Sequence, residues 1–161
     1  MTAVPAASGL SWGVLRRFAD YVRGSGGTIA ASGRAIVDET GMPSWPLVAR
    51  EGDPGGQITL RFAGSVLYAA HFGALSLDLA DPELEADGSA GVLRFAAGPQ
   101  GAVTDVARFS WRAVPAAGDA TVLVAHAVEL DAAATVLFGG AYPAGMPLDP
   151  FIVVLAAERN R

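Results

Sequence analysis

The 161-residue chain contains no cysteine. Disulfides, thiolate metal sites and cysteine nucleophiles are thereby excluded, and the redox compartment leaves no mark on the sequence. Charge is sparse as well. Only 17% of residues are charged and the net charge is -5 at pH 7, so the concentrated basic surface that nucleic acid requires is missing. No apolar run approaches the ~18 residues of a membrane span. Met1 to Gly9 carry neither a basic n-region nor an apolar h-region. The sequence implies either a cytoplasmic protein or one whose export signal has been removed, which would place it in the envelope or outside the cell. Phosphate-loop, H-x-x-H and D-x-D-x-D-G patterns are absent. Gly24 to Gly33 is glycine-rich but follows a helix rather than a strand, which argues against a dinucleotide site.

What remains is apolar. Hydrophobic residues make up 52% of the chain, which excludes a disordered polymer and suffices for one domain with a real core, set at residues 8–158. Leu15, Phe18 and Val22 recur at helical spacing, with Val14, Phe18 and Tyr21 on an adjacent stripe. The spacing predicts a helix over Ser11–Arg23, with Ser11 as N-cap and Gly24 to Gly27 as its end. From there the period is two. Ile58, Leu60 and Phe62 alternate with polar residues, as do Leu75, Leu77 and Leu79, while Val122, Val124, His126 and Val128 share one face of a further run. Turn signals separate these runs at Asp53-Pro54-Gly55-Gly56, Asp87-Gly88, Gly98-Pro99, Ala117-Gly118-Asp119 and Pro143-Ala144-Gly145. Phe151 to Leu155 reads as a buried strand. The expected fold is mainly β: an antiparallel β-sandwich or curled sheet with an N-terminal helix packed on it.

Two chemistries compete for the first twenty residues. Gly9-Leu10-Ser11-Trp12-Gly13 matches the G-x-S-x-G of a nucleophile elbow. An elbow needs a strand running into the serine, and Pro5 to Gly9 do not form that pattern; neither His71 nor His126 has the context of a triad base. The N-cap reading of Ser11 is preferred. Tyr21 is the other candidate. Arg17 lies one helical turn before it, so a cation and a phenol share a face. Asp81, Glu83, Glu85 and Asp87 alternate along one strand and read as a solvated face, and His126 reads as structural or partly exposed.

Three blocks then carry a family resemblance. Leu10-Ser11-Trp12-Gly13-Val14 through Phe18 to Tyr21-Val22, the run Gly64 to Pro82 around His71, and Phe138-Gly139-Gly140-Ala141-Tyr142-Pro143-Ala144-Gly145 through Leu148-Asp149-Pro150 resemble, in order, the HtaA-type haem-binding domains of actinobacterial haem uptake. The resemblance implies a non-enzymatic module that takes ferric haem b. Tyr21 would be the axial ligand of the iron and His71 would hydrogen-bond its oxygen. Tyr142 would lie near the haem edge by a propionate, and Val14, Phe18 and Tyr142 would wall a greasy slot between helix and sheet. Where the family often has a serine this chain has Arg17, whose guanidinium would offer a propionate a charge-assisted contact. Haem and other haem-binding or haem-transport proteins are the implied partners, and a homodimer is allowed. The chemistry is consistent with that implication. A phenolate is a hard anionic donor suited to Fe(III), and a free phenol, with a pKa near ~10, needs the cation's help to ionise. The rival is a β-sandwich module that binds another apolar ligand or a protein, with Tyr21 merely packed.

Overall fold

The computed structural model describes residues 8–97 and 99–156. Its strands are β1 (Gly9–Ser11), β2 (Thr28–Ser32), β3 (Ile36–Val37), β4 (Pro43–Gly52), β5 (Gln57–Phe62), β6 (Ser65–Ala70), β7 (Leu75–Asp87), β8 (Ala90–Ala96), β9 (Val103–Pro115), β10 (Thr121–Ala125), β11 (Glu129–Leu130) and β12 (Phe151–Leu155). One α-helix, α1 (Arg16–Gly24), stands among them. Every pairing is antiparallel. The order β9-β10-β12-β1-β4-β5-β7 continues through β8 back to β9, so eight strands close into a barrel. The expected curled sheet therefore curls until it meets itself, which removes most of its exposed edge.

Closure follows from two long strands that bend. β7 gives its first half to β6 and its second half to β5 and β8, and its register shifts between Ala80 and Glu83, where Pro82 removes a ladder donor and Asp81 takes φ 46°. β9 likewise gives its first part to β8 and its last five residues to β10. Beyond the ring, β6 and β2 extend the sheet from β7 as a flap. Leu60, Leu84, Leu93, Leu123 and Val153 are buried within the ring; Ile58, Leu60 and Phe62 point inward as their alternation predicts, whereas the continuously apolar Phe151–Leu155 also alternates, with Ile152 exposed. In β10 the buried residues are Leu123 and Ala125, not Val122 and Val124; the strand ends at Ala125, and His126 lies exposed beyond it. That run reads equally well in either phase, and only its neighbours choose between them. Aromatic rings fill the middle: Trp12 packs on Phe95 at 6.0 Å and on Phe151 at 5.9 Å, and Phe109 on Phe151 at 5.0 Å. The acidic face of β7 points outward, and Glu83 and Glu85 on it are ion-paired. Arg94 and Arg61 both reach Glu83. Partial burial works to raise the Glu83 pKa, yet the hydrogen bonds from Arg94 and Arg61 outweigh it and hold the carboxyl below its ordinary range.

The start of the chain departs from expectation. Gly9–Ser11 is a strand, paired with β12 on one side and β4 on the other, and α1 begins only at Arg16. Ser11 is therefore not its N-cap. Leu15 occupies that position in extended conformation, without a side-chain cap. Between them Trp12 turns into the core, where its Nε1 donates to the Asp149 carbonyl at 2.8 Å, and Val14 is forced to φ 65°. Burying this tryptophan outweighs continuing the helical period through it. The elbow is excluded on the same observation: Ser11 sits inside a doubly paired strand, not on a turn that opens a helix.

The end of α1 is a Schellman motif. Gly26, at φ 75°, donates to the Arg23 carbonyl, and the Gly27 amide reaches back to that of Val22 at 2.8 Å. Gly27 then passes so close to β6 that a Cβ there would lie 2.2 Å from the Ala69 carbonyl oxygen. A nine-residue helix is too short to stand alone, so this contact and the burial of Phe18 and Val22 hold it. Gly27→Ala should therefore destabilise the protein by about 1–3 kcal/mol through forced displacement of α1. A thermal melt compares it with Gly24→Ala, where a Cβ meets nothing within 4 Å and little or no loss is expected.

Candidate functional site

Tyr21 and His71 come from segments fifty residues apart, and the fold brings them together. The Tyr21 hydroxyl and His71 Nε2 are 2.7 Å apart, a full hydrogen bond, with ring centroids at 5.7 Å. Tyr21 is half exposed (50%), and His71 is exposed as well. The pair opens to solvent on the outer side of α1.

His71 is not at the start of a strand, as its sequence suggests, but on the one-turn connection between β6 and β7. His71, Phe72 and Gly73 take φ of 55°, 56° and 88° in succession, and the turn closes with Ala74 N donating to the His71 carbonyl at 3.1 Å. Left-handed geometry costs roughly 1–2 kcal/mol for each non-glycine residue. Two such residues side by side are unusual, and the turn they make is the one that presents the imidazole to Tyr21. Strain of this sort concentrates where a side chain must be aimed.

One helical turn before Tyr21, Phe18 anchors the third side. It packs on Phe138 at 5.1 Å and on Tyr142 at 6.4 Å, and those two rings are 5.8 Å from each other. Both belong to the segment after Asp131, whose carboxylate accepts from the Ala133 amide at 2.9 Å and from Arg108 at 2.8 Å. That clamp starts the 3-10 helix Ala132–Phe138, and Gly139 and Gly140, both at positive φ, turn the chain so that Tyr142 returns to Phe18. Tyr142 is half-buried, and Arg17 is exposed with no hydrogen bond or ion pair to another described residue.

The sequence-predicted residues thus divide. Phe18 is buried and packs on Tyr142, while Tyr21 and His71 meet on one exposed face of α1, with Arg17 a helical turn before Tyr21. Val14 lies fully inside the core. The space between helix and sheet is not walled by the residues the resemblance implies: Phe18 rests directly on Tyr68 at 5.4 Å and Val22 is wholly buried, and neither Val14, Phe18 nor Tyr142 lines the cavity that lies there. Phe138 was not singled out from sequence; the aromatic that opens a Gly-Gly turn is a signal only once the turn is seen to fold back on α1. Among the described residues no cluster of three or more potential metal ligands occurs.

Comparison with known proteins decides the family. The HtaA (Htaa) family model matches residues 7–154. The chain belongs to the HtaA family. Among solved structures, the C-terminal domain of HtaA from Corynebacterium glutamicum matches with a TM-score of 0.75 and 21% identity, covering 94% of this chain and 98% of that one. The N-terminal domain of the same protein matches at 0.72 and 22%, covering 97% and 100%. The heme-binding protein HtaB from that organism matches at 0.69 and 19%, covering 93% and 92%. No curated protein sequence matches. The barrel with its single helix is the fold these family members share.

Along another face of α1 the chemistry is different. A cavity of about 350 Å3 is lined there by Arg16, Asp20, Arg23, Met42, Tyr68 and Asp149, and neither Tyr21 nor His71 borders it. The Tyr68 hydroxyl is buried and has no hydrogen-bond partner among the described residues. Burial pushes its ionisation well above that of an ordinary phenol, and the nearby Arg23 charge only partly opposes this. An orphaned hydroxyl costs about 1–3 kcal/mol of desolvation. Tyr68→Phe should therefore stabilise the protein, raising Tm by roughly 2–4 °C per kcal/mol recovered. A melt that is unchanged or lowered would mean that water in the cavity already satisfies the hydroxyl.

Proposed function

We propose that this HtaA-family domain binds ferric haem b on the solvent-open face of α1, with Tyr21 as the iron ligand, and holds it for uptake, transfer or storage rather than for catalysis. The observation that carries the reading is the 2.7 Å contact between the Tyr21 hydroxyl and His71 Nε2 on a solvent-open face. A phenol that is to become an iron ligand must be reachable, must lose its proton and must be held in one direction. Exposure meets the first need. Fe(III) itself supplies most of the second, as bound cations do for their ligands. The imidazole meets the third: as a donor from Nε2 it aims one lone pair of the phenolate and leaves another for the metal.

A flat apolar ring with two anionic arms needs an apolar support and polar groups at its rim. The half-buried Tyr142, backed by the buried Phe18 and Phe138, would supply the first, and Arg17, exposed one turn before Tyr21, would offer a propionate a charge-assisted contact. The name of the structural relative HtaB, a heme-binding protein, supports the same ligand. His126, exposed beyond β10, takes no part.

Hemin titration followed by absorbance tests the assignment. Tyr21→Phe should fold normally, because only one exposed oxygen is lost, and should lose most of its haem affinity together with the phenolate-to-iron charge-transfer band. His71→Ala should weaken binding roughly 10- to 100-fold and shift that band without abolishing it. Equal affinity and identical spectra in Tyr21→Phe would sink the ligand assignment and leave the site to some other apolar guest.

The same pairing sets an expectation for release. A hard anionic oxygen matches Fe(III), and reduction removes one charge from the metal, so the phenolate loses much of its advantage. Dithionite added to the haem-loaded protein, with apo-myoglobin as acceptor, should accelerate transfer. Ferrous haem retained as firmly as ferric, with tyrosine still bound, would point instead to handover by direct contact with an acceptor protein.

A further inference from the structure

Phe72 is the most exposed large hydrophobic side chain among the described residues, at 112% of its reference area. It makes no ring contact with any other described aromatic. It also sits at the centre of the left-handed 71–73 turn, with φ 56°, a conformation that glycine or asparagine adopts with far less strain than a bulky side chain. Neither feature helps the ligand-free fold. A phenylalanine left in water forgoes its transfer free energy, and the turn would be easier to form without it. The residue before it is His71, whose Nε2 meets the Tyr21 hydroxyl at 2.7 Å.

We propose that Phe72 is a specificity-determining contact residue that closes over the porphyrin and sets its residence time. The inference rests on the haem reading of the site. A porphyrin whose iron meets the Tyr21 oxygen extends well beyond that oxygen in every direction, so a ring one residue from His71 lies within its reach. Phe18 and Phe138 are buried and leave little ring surface to a ligand, so Phe72 supplies an apolar contact on the side of the turn. Aromatic faces favour offset or edge contacts with a flat π-system at ~4.5–7 Å, which a side chain on an exposed turn can adopt without disturbing the core. Because Phe72 touches haem and not iron, it governs how long the ring stays and leaves the ligand set alone.

The test separates these roles. Wild type, Phe72→Ala and Phe72→Trp are loaded with hemin, and haem loss to excess apo-myoglobin is timed. Phe72→Ala should release haem roughly 10-fold faster or more, as expected for one lost apolar side chain, with its charge-transfer band unchanged. Phe72→Trp should stay near wild type. The ligand-free melting temperature of Phe72→Ala should be equal to wild type or higher, since the side chain packs on nothing. Unchanged release in Phe72→Ala overturns the proposal. So does a shifted charge-transfer band, which would mean that Phe72 acts only by holding His71, or slower transfer, which would make it a docking residue for the acceptor. Should wild type itself show no tyrosinate spectrum, the haem reading fails, and that result is distinct from any of these.

Discussion

Phe18 is the residue on which the functional half of the molecule leans. Its ring lies 5.4 Å from Tyr68, 5.1 Å from Phe138 and 6.4 Å from Tyr142, so helix, flap and C-terminal segment meet on one side chain. Each of those segments is weak by itself. α1 has only nine residues and no side-chain N-cap, β2 and β6 hang from a single edge of β7, and the 132–142 segment is a run of tight turns. A ring that buries fully among all three gives them a common position, and Tyr21, three residues further along the helix, inherits it. The barrel supplies the rigid wall behind, and the site is arranged on its outside.

How much of this could be read in advance depends on the range of the physics involved. Gln57–Phe62 was legible to the residue because alternation is a local property and the Asp-Pro-Gly-Gly turn fixes its phase. The strand at Gly9–Ser11 was not. Three residues with one apolar member carry no period, and it exists only because β4 and β12 pair with it from both sides. Ser11 looked like a helix cap for the same reason: the competing claim came from Trp12, whose burial against Phe95 and Phe151 is a contact between distant parts of the chain. At the site, Tyr21 and His71 were found through a family resemblance, not through spacing, since fifty residues of intervening sheet leave no sequence trace of a 2.7 Å contact. The left-handed turn was half visible. Gly73 marks a place where the chain must bend sharply, but nothing local says that His71 and Phe72 share its conformation.

The turn also shows how the molecule divides stability from function. In barrel strands such as β5, local preference and tertiary packing agree, as a well-specified fold requires. At 71–73 they conflict: two side chains that disfavour φ near 55° adopt it, one to aim a ring nitrogen and the other to stand in water. Such conflicts survive when the surrounding structure over-determines them, and the β6–β7 pairing from Ser65↔Ala80 to Ala70↔Leu75 does so here. The cost falls on a hairpin end that the barrel does not need, so the strain can be kept without endangering the core.

Tyr21 and Tyr68 stand in opposite surroundings beside α1, and the contrast between them bears on which of the two phenols the proposed ligand role can use. Tyr68 is sealed beneath the helix with no partner for its hydroxyl, and the loss of water raises its ionisation out of reach despite the Arg23 charge nearby. Tyr21 has the same phenol in the opposite circumstances. Solvent reaches it, and an imidazole is in contact with the oxygen. Under the proposed reading, a phenolate that binds Fe(III) needs an approach from solvent and a hydrogen-bond partner to orient it, and Tyr21 has both. Where Tyr21 faces is decided by which way nine residues of helix are rotated on the sheet. That rotation is fixed by Phe18 and Val22 turned inward and by the close approach of Gly27 to Ala69.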